Sequence, residues 1–258
     1  MGGPQAQLAI TRAFRRVGRS QQAGRTGLFC LPYAGGGMNS YDSWAPLLAR
    51  TADVWVAELP GRGTRFDQPF ADDLTLLAGD LAAEIQAIAP PRVALFGHSM
   101  GAALAFETAL ALTAAGAPPL ALFVSGHAAP GRRKARLHEL SNEELTGTMR
   151  QLGGTPGDVF DSPELWELML DVIRADLTLV ERHAHPPGAA VPCPLVAYGS
   201  TGDDEADEAG IAGWATRTTG PFATRVFPGD HFYFLEYPEA FATDVIRRLV
   251  QHTTEGTP

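Results

Sequence analysis

Val93-Ala94-Leu95-Phe96-Gly97-His98-Ser99-Met100-Gly101-Ala102 is the stretch on which the fold turns. Residues 93–96 form a short apolar run, residues 97–101 read G-x-S-x-G, and residues 102–115 continue with helical spacing. Alone, the five-residue pattern is weak: 28 glycines and eight serines in 258 residues give about 0.1 chance matches per chain. Its context raises it, because a strand runs straight in and a helix leads out. Such a strand–turn–helix forces the serine into a sharp, exposed bend at the end of a sheet. Glycines on both flanks let strand and helix backbones approach without Cβ clashes. A plain glycine turn is the bland alternative.

Outward from this bend the chain alternates. Apolar runs at 28–31, 54–59 and 120–124 predict strands; residues 43–50, Leu74–Ile88 and 102–115 have helical spacing. Short continuous apolar strands between amphipathic helices predict an α/β fold with a mostly parallel sheet covered on both faces. From 127 to 187 the alternation stops, and that segment predicts a helical insertion of about sixty residues, too long for a passive connection. Within it, Leu165, Leu168, Met169, Val172, Ile173, Leu177 and Val180 form one broad stripe of a helix over 165–180. Strands resume at 195–198 and 224–227, separated by a helix through Ile211 and Trp214, and a helix over 241–250 closes the chain. The organisation expected is a basic arm at 1–26 with a short ordered piece near residues 14–17, a core of 27–126 and 188–258, and a helical lid at 127–187.

Composition bounds the function. Apolar residues make up 45% and charged residues 19%, enough apolar surface for a packed core. The formal net charge of −9 disfavours nucleic acid and anionic membranes as partners. Residues 108–131 carry no charge, but Gly116, Pro118 and Pro119 interrupt them, so they read as helix, turn and strand and not as a membrane span. Two cysteines, Cys30 and Cys193, are too few for a disulfide framework or a four-ligand zinc site, and both are expected to be buried free thiols. No secretory signal is visible, so a cytoplasmic location is expected. Lys134 is the only lysine, and it joins Arg132, Arg133 and Arg136 in a basic cluster that most simply reads as a solvated face.

A serine hydroxyl needs a base. With the nucleophile on a strand–helix bend, the chain order is Ser, acid, His. Of the seven histidines, His231 fits, following the last strand and the turn Pro228-Gly229-Asp230. His98 lies within the bend and is expected to point away from the partners of Ser99. The acid should follow the strand before, in Gly199-Ser200-Thr201-Gly202-Asp203-Asp204; Asp203 is the first choice and Asp204 remains open. Backbone amides of Met100 and of Ala34, in Pro32-Tyr33-Ala34-Gly35-Gly36, are placed to form an oxyanion hole. The glycines at 35–37 do not make a phosphate cradle, since no G-x-x-x-x-G-K-[ST] is present.

Several stretches together resemble the type II thioesterases of polyketide and non-ribosomal peptide assembly lines, which are α/β-hydrolases similar to the fatty-acid thioesterases. They are Phe29-Cys30-Leu31-Pro32-Tyr33-Ala34-Gly35-Gly36, Glu58-Leu59-Pro60-Gly61-Arg62, Leu95 to Ala102, Leu152-Gly153-Gly154-Thr155, Pro163-Glu164-Leu165, Ile173-Arg174-Ala175-Asp176 and Arg225 to Phe232. The chain departs from the family pattern at Tyr33 and Asp230, where His or Gln and Gly are common. The resemblance implies a catalytic Ser99, Asp203 and His231, and hydrolysis of acyl thioesters on the phosphopantetheine arm of a carrier protein. It implies neither metal nor other cofactor. A freestanding monomer acting on acyl-loaded carrier proteins is expected. Two other readings stay open: a small-molecule esterase or lipase of the same fold, and a hydrolase-like binding protein without activity.

Overall fold

A computed structural model describes residues 11–18, 25–131 and 136–255. Arg19 of the expected arm, and Arg132, Arg133 and Lys134 of the basic cluster, lie outside the described residues. The first half of the chain runs β1 (Phe14–Gly18), β2 (Thr26–Leu31), β3 (Ala52–Ala57), α1 (Leu74–Ile88), β4 (Arg92–His98), α2 (Met100–Ala114) and β5 (Ala121–Ser125). Three helices follow, α3 (Asn142–Leu152), α4 (Gly157–Asp161) and α5 (Pro163–Arg182). Then come β6 (Leu195–Ser200), α6 (Glu208–Ala212), β7 (Phe222–Phe227), α7 (Tyr233–Glu236) and α8 (Pro238–Glu255).

The seven strands form one sheet in the order β1-β3-β2-β4-β5-β6-β7. All pairings are parallel except β1 with β3, so the ordered piece expected near residues 14–17 is an antiparallel edge strand. Every residue of β2, β5 and β6 is buried, which is why these strands read as apolar runs without alternation. One face packs Leu77, Leu81, Ile85, Leu104 and Phe106 of α1 and α2. The other packs an aromatic set, including Trp44, Phe96, Tyr198 and Phe241, against α8.

Local signals set the helix ends. Asp73 caps α1 by accepting from the Thr75 and Leu76 amides at 2.7 and 3.0 Å. Ser141 and Glu144 form a reciprocal capping box at the start of α3. Where residues 43–50 were expected to be helical there is a short 3₁₀ turn, Ala45–Leu48. Pro46 enters it, Trp44 and Leu48 are buried, and Leu47 is exposed. The stripe expected on α5 is divided. Ile173, Leu170 and Trp166 pack with Leu145 and Met149 in a separate small core, whereas Leu165 and Leu168 face solvent at 45% and 54% exposure.

Candidate active site

β4 carries its hydrogen bonding as far as His98, and α2 begins at Met100, so a single residue makes the bend. Ser99 takes φ 54°, ψ −123°, a conformation costing about 1–3 kcal/mol for a residue with a Cβ. The bend is held from both sides. The Ser99 amide donates to the Ser125 carbonyl at 2.8 Å, and the Ala102 amide donates back to the Ser99 carbonyl at 2.9 Å. A Cβ on Gly97 would lie 1.9 Å from the Gly101 carbonyl oxygen, and one on Gly101 would lie 2.2 Å from that of Leu31. The glycines therefore serve close backbone packing, while the strain falls on the serine.

His231 lies at the far end of a turn after β7. Its Nδ1 is 2.8 Å from Asp203 Oδ2, and both side chains are at most 7% exposed. A carboxylate can only accept, so Nδ1 carries a proton, and in the neutral imidazole this tautomer leaves the lone pair on Nε2. Asp203 Oδ1 also accepts from the Glu205 amide at 3.0 Å. The neighbouring Asp204 is exposed and is not the partner of His231. The loop register is set by backbone bonds from Thr201 to Phe227 and from Gly202 to Gly229, at 3.0 and 2.9 Å.

Ser99, Met100, Ala34 and His231 all line one cavity, with about 1090 Å³ of empty space open to solvent. From the helical segment, Leu137, Met149, Leu152, Leu177 and Val180 form its other wall. Of the stripe expected to face this space, Leu177 and Val180 reach it. Met100 is the first residue of α2, where an amide has no intrahelical acceptor and the helix dipole favours negative charge.

The loop bearing Ala34 is held by a pair the sequence did not single out as a site. Arg62 and Asp176 meet through two bonds of 2.6 Å, Nη1 to Oδ2 and Nη2 to Oδ1. The Gly35 amide donates to Asp176 Oδ2 at 2.9 Å, and Arg62 Nη1 donates to the Gly36 carbonyl at 3.0 Å. The loop is thereby fixed to α5 and to the turn after β3. Gly35, at φ +79°, also lies so close to α5 that a Cβ there would be 2.6 Å from Ile173.

His98 departs from expectation. Instead of pointing away, its ring lies 4.7 Å from that of His231, centroid to centroid. It is fully buried, and its Nδ1 is 2.9 Å from Ser125 Oγ, which is 2.6 Å from the Tyr233 hydroxyl. Burial first, then the nearby His231 and His127, hold its pKa well below the ordinary histidine value. His98 is therefore a neutral platform beneath His231.

This architecture matches known proteins. The thioesterase domain model matches residues 26–250. The chain belongs to the thioesterase domain family. Among curated relatives, "Probable cadicidin biosynthesis thioesterase" of Streptomyces griseus is 34% identical, with 90% of this chain covered; the chain spans 64% of that relative's length. "Thioesterase PikA5" of Streptomyces venezuelae is 33% identical, with 90% of this chain and 83% of the relative covered. Among solved structures, the type II thioesterase BorB from the borrelidin biosynthetic cluster superposes with a TM-score of 0.84 at 36% identity, with 92% and 97% of the two chains covered. The α/β-hydrolase fold expected from the sequence is the fold of this thioesterase. Among its described residues no helix is long and apolar enough to cross a membrane.

Proposed function

We propose that this chain is a serine thioesterase that hydrolyses acyl thioesters from the phosphopantetheine arm of carrier proteins, in the editing of polyketide or non-ribosomal peptide assembly. The observation that carries the reading is the buried Asp203–His231 bond on the wall of the cavity that Ser99 also lines. Ser99 Oγ attacks the thioester carbonyl while His231 Nε2 takes its proton. Asp203 stabilises the imidazolium, which stays oriented through Nδ1–H. The Met100 and Ala34 amides hold the oxyanion. Collapse of the tetrahedral intermediate expels the pantetheine thiol, which leaves with the proton from His231, and an acyl-Ser99 ester remains. His231 then deprotonates a water that attacks the ester. The second collapse returns the proton to Ser99 and frees the acid. A thiol of pKa about 8.5 leaves far more readily than an alkoxide, so thioesters are the favoured class. No step calls on a metal or redox cofactor.

In this reading residues 27–126 and 188–258 are the catalytic core, and 127–187 are a helical lid over the acyl chain. The lid side of the cavity is mostly apolar, as acyl binding requires. The enzyme acts as a cytoplasmic monomer. The test is a panel in which the same acyl group is offered on carrier protein, on pantetheine and as an oxygen ester. The proposal predicts the highest kcat/KM for the carrier-bound thioester. Preference for the oxygen ester, with no response to acyl-carrier protein, would favour the esterase alternative.

A further inference from the structure

α2 bears a carboxylate that the reaction does not use. Glu107 follows Ser99 by eight positions, about 12 Å along the helix at 1.5 Å per residue, and does not line the active-site cavity. Two histidines from the chain leaving α5 converge on it. His183 Nε2 lies 2.9 Å and His185 Nδ1 2.6 Å from the same oxygen, Glu107 Oε1. The three donor atoms all lie within 4.8 Å of one another, and each side chain is at most 9% exposed. The imidazoles stand edge to face, with centroids 4.5 Å apart at 89°, so their ring nitrogens reach the oxygen from two directions. His185 is backed by Phe106 at 5.6 Å. Pro186 and Pro187, with φ fixed, follow immediately and restrict the backbone that presents the pair.

We propose that Glu107, His183 and His185 bind a divalent transition-metal ion of the zinc class, clamping α2 to the end of the helical segment. Two imidazoles and one carboxylate are the donor set that zinc and its neighbours favour, whereas calcium and magnesium call for oxygen ligands. With metal–ligand bonds of about 2.0–2.2 Å, neighbouring donors in a tetrahedral shell stand about 3.3 Å apart. Both ring nitrogens donate N–H to Glu107 Oε1 in the metal-free chain, so entry of the ion moves those protons to the opposite ring nitrogens or to solvent. The carboxylate oxygen withdraws by about half an ångström and the two nitrogens, in a set that spans up to 4.8 Å, close on the ion. Three protein ligands leave a further position for water. The clamp joins residues 76 and 78 positions apart in sequence, at the place where the helical segment rejoins the core.

The test uses the full chain, stripped of metal by a chelator and dialysed, and titrated with zinc chloride against a chromophoric competitor. The expected result is one equivalent per chain with micromolar or tighter affinity and a rise in Tm. His185→Gln and His183→Gln should each weaken uptake at least a hundredfold, while His231→Ala should leave it unchanged. Should either variant misfold by circular dichroism, diethylpyrocarbonate labelling of the unaltered chain decides: zinc should protect His183 and His185 and no other histidine. Absence of saturable uptake, uptake unaffected in His185→Gln, loss of uptake in His231→Ala, or protection at other histidines would each overturn the proposal.

Discussion

Replacing Asp176 by Asn tests whether the Arg62–Asp176 pair holds in place the loop that carries Ala34, the proposed second oxyanion donor. The change keeps size and shape but removes the charge opposite Arg62. In the native pair two guanidinium bonds of 2.6 Å and the Gly35 amide converge on one carboxylate, with side chains only 10% and 4% exposed. Breaking a buried pair by removing one partner costs about 3–5 kcal/mol. Asn retains one acceptor oxygen, which places the loss at the lower end, about 3 kcal/mol. For a chain of this size each kcal/mol shifts Tm by about 2–4 °C, so Tm should fall by about 6–12 °C. Turnover should fall as well, because Gly35 neighbours Ala34. Complete loss of one oxyanion donor costs about 10²–10³ in kcat, and a loosened loop should cost about tenfold to a hundredfold with a smaller change in KM. Urea melts and steady-state hydrolysis of an acyl-pantetheine measure the two effects. The double variant Arg62→Met/Asp176→Leu separates them: apolar replacement of both partners should recover stability but leave turnover low, since the Gly35 amide has lost its acceptor. A stability loss under about 1 kcal/mol in the single variant, unchanged kcat, or recovery of turnover in the double variant would show that the pair does not hold this loop.

Three further outcomes follow. Asp203→Asn should lower kcat by about 10⁴ through loss of the tautomer that His231 needs, while Asp204→Asn, at an exposed position, should stay within a few-fold of the parent; steady-state kinetics of both variants read this directly. Burial raises the Cys30 thiol above its ordinary range and pushes Cys193 up to about 12, so a thiol reagent at pH 8 should label neither in the native chain and both in guanidinium. The His98 pKa is depressed in the folded state, so the unfolded chain takes up a proton below about pH 6.5 that the folded chain refuses. Its contribution is complete above that pH and falls by about 1.4 kcal/mol per unit as pH drops; in urea melts at pH 7.0 and 5.5, His98→Phe should show a shallower pH dependence than the parent.

The core was legible because its signals are local. Parallel strands buried on both faces leave apolar runs, and the Gly97–Gly101 bend declares itself by what precedes and follows it. Chain order singles out His231 as the candidate base and narrows the candidate acid to two neighbours. Which of Asp203 and Asp204 meets His231 depends on the register of a loop pinned to the turn after β7, which only the fold supplies. Arg62 and Asp176 are separated by 114 positions, so no spacing rule joins them, although both fall in stretches that resemble the family. The side of His98 is not legible in the sequence because β4 runs through it: as a strand residue it turns toward the aromatic face that carries Phe232 and Phe234, and so toward His231. The stripe of α5 looks like one surface in the sequence because helical periodicity does not tell where a helix outruns its support. Leu165 and Leu168 lie on the part that does.

Rapid-quench mass spectrometry of the parent and of Ser99→Ala mixed with acyl-carrier protein reads the acyl-serine intermediate itself. An acyl adduct should form on the Ser99 peptide of the parent during turnover, with neither adduct nor released acid from Ser99→Ala. Acid release at the parental rate by Ser99→Ala, or an adduct on another residue, would rule out Ser99 as the nucleophile.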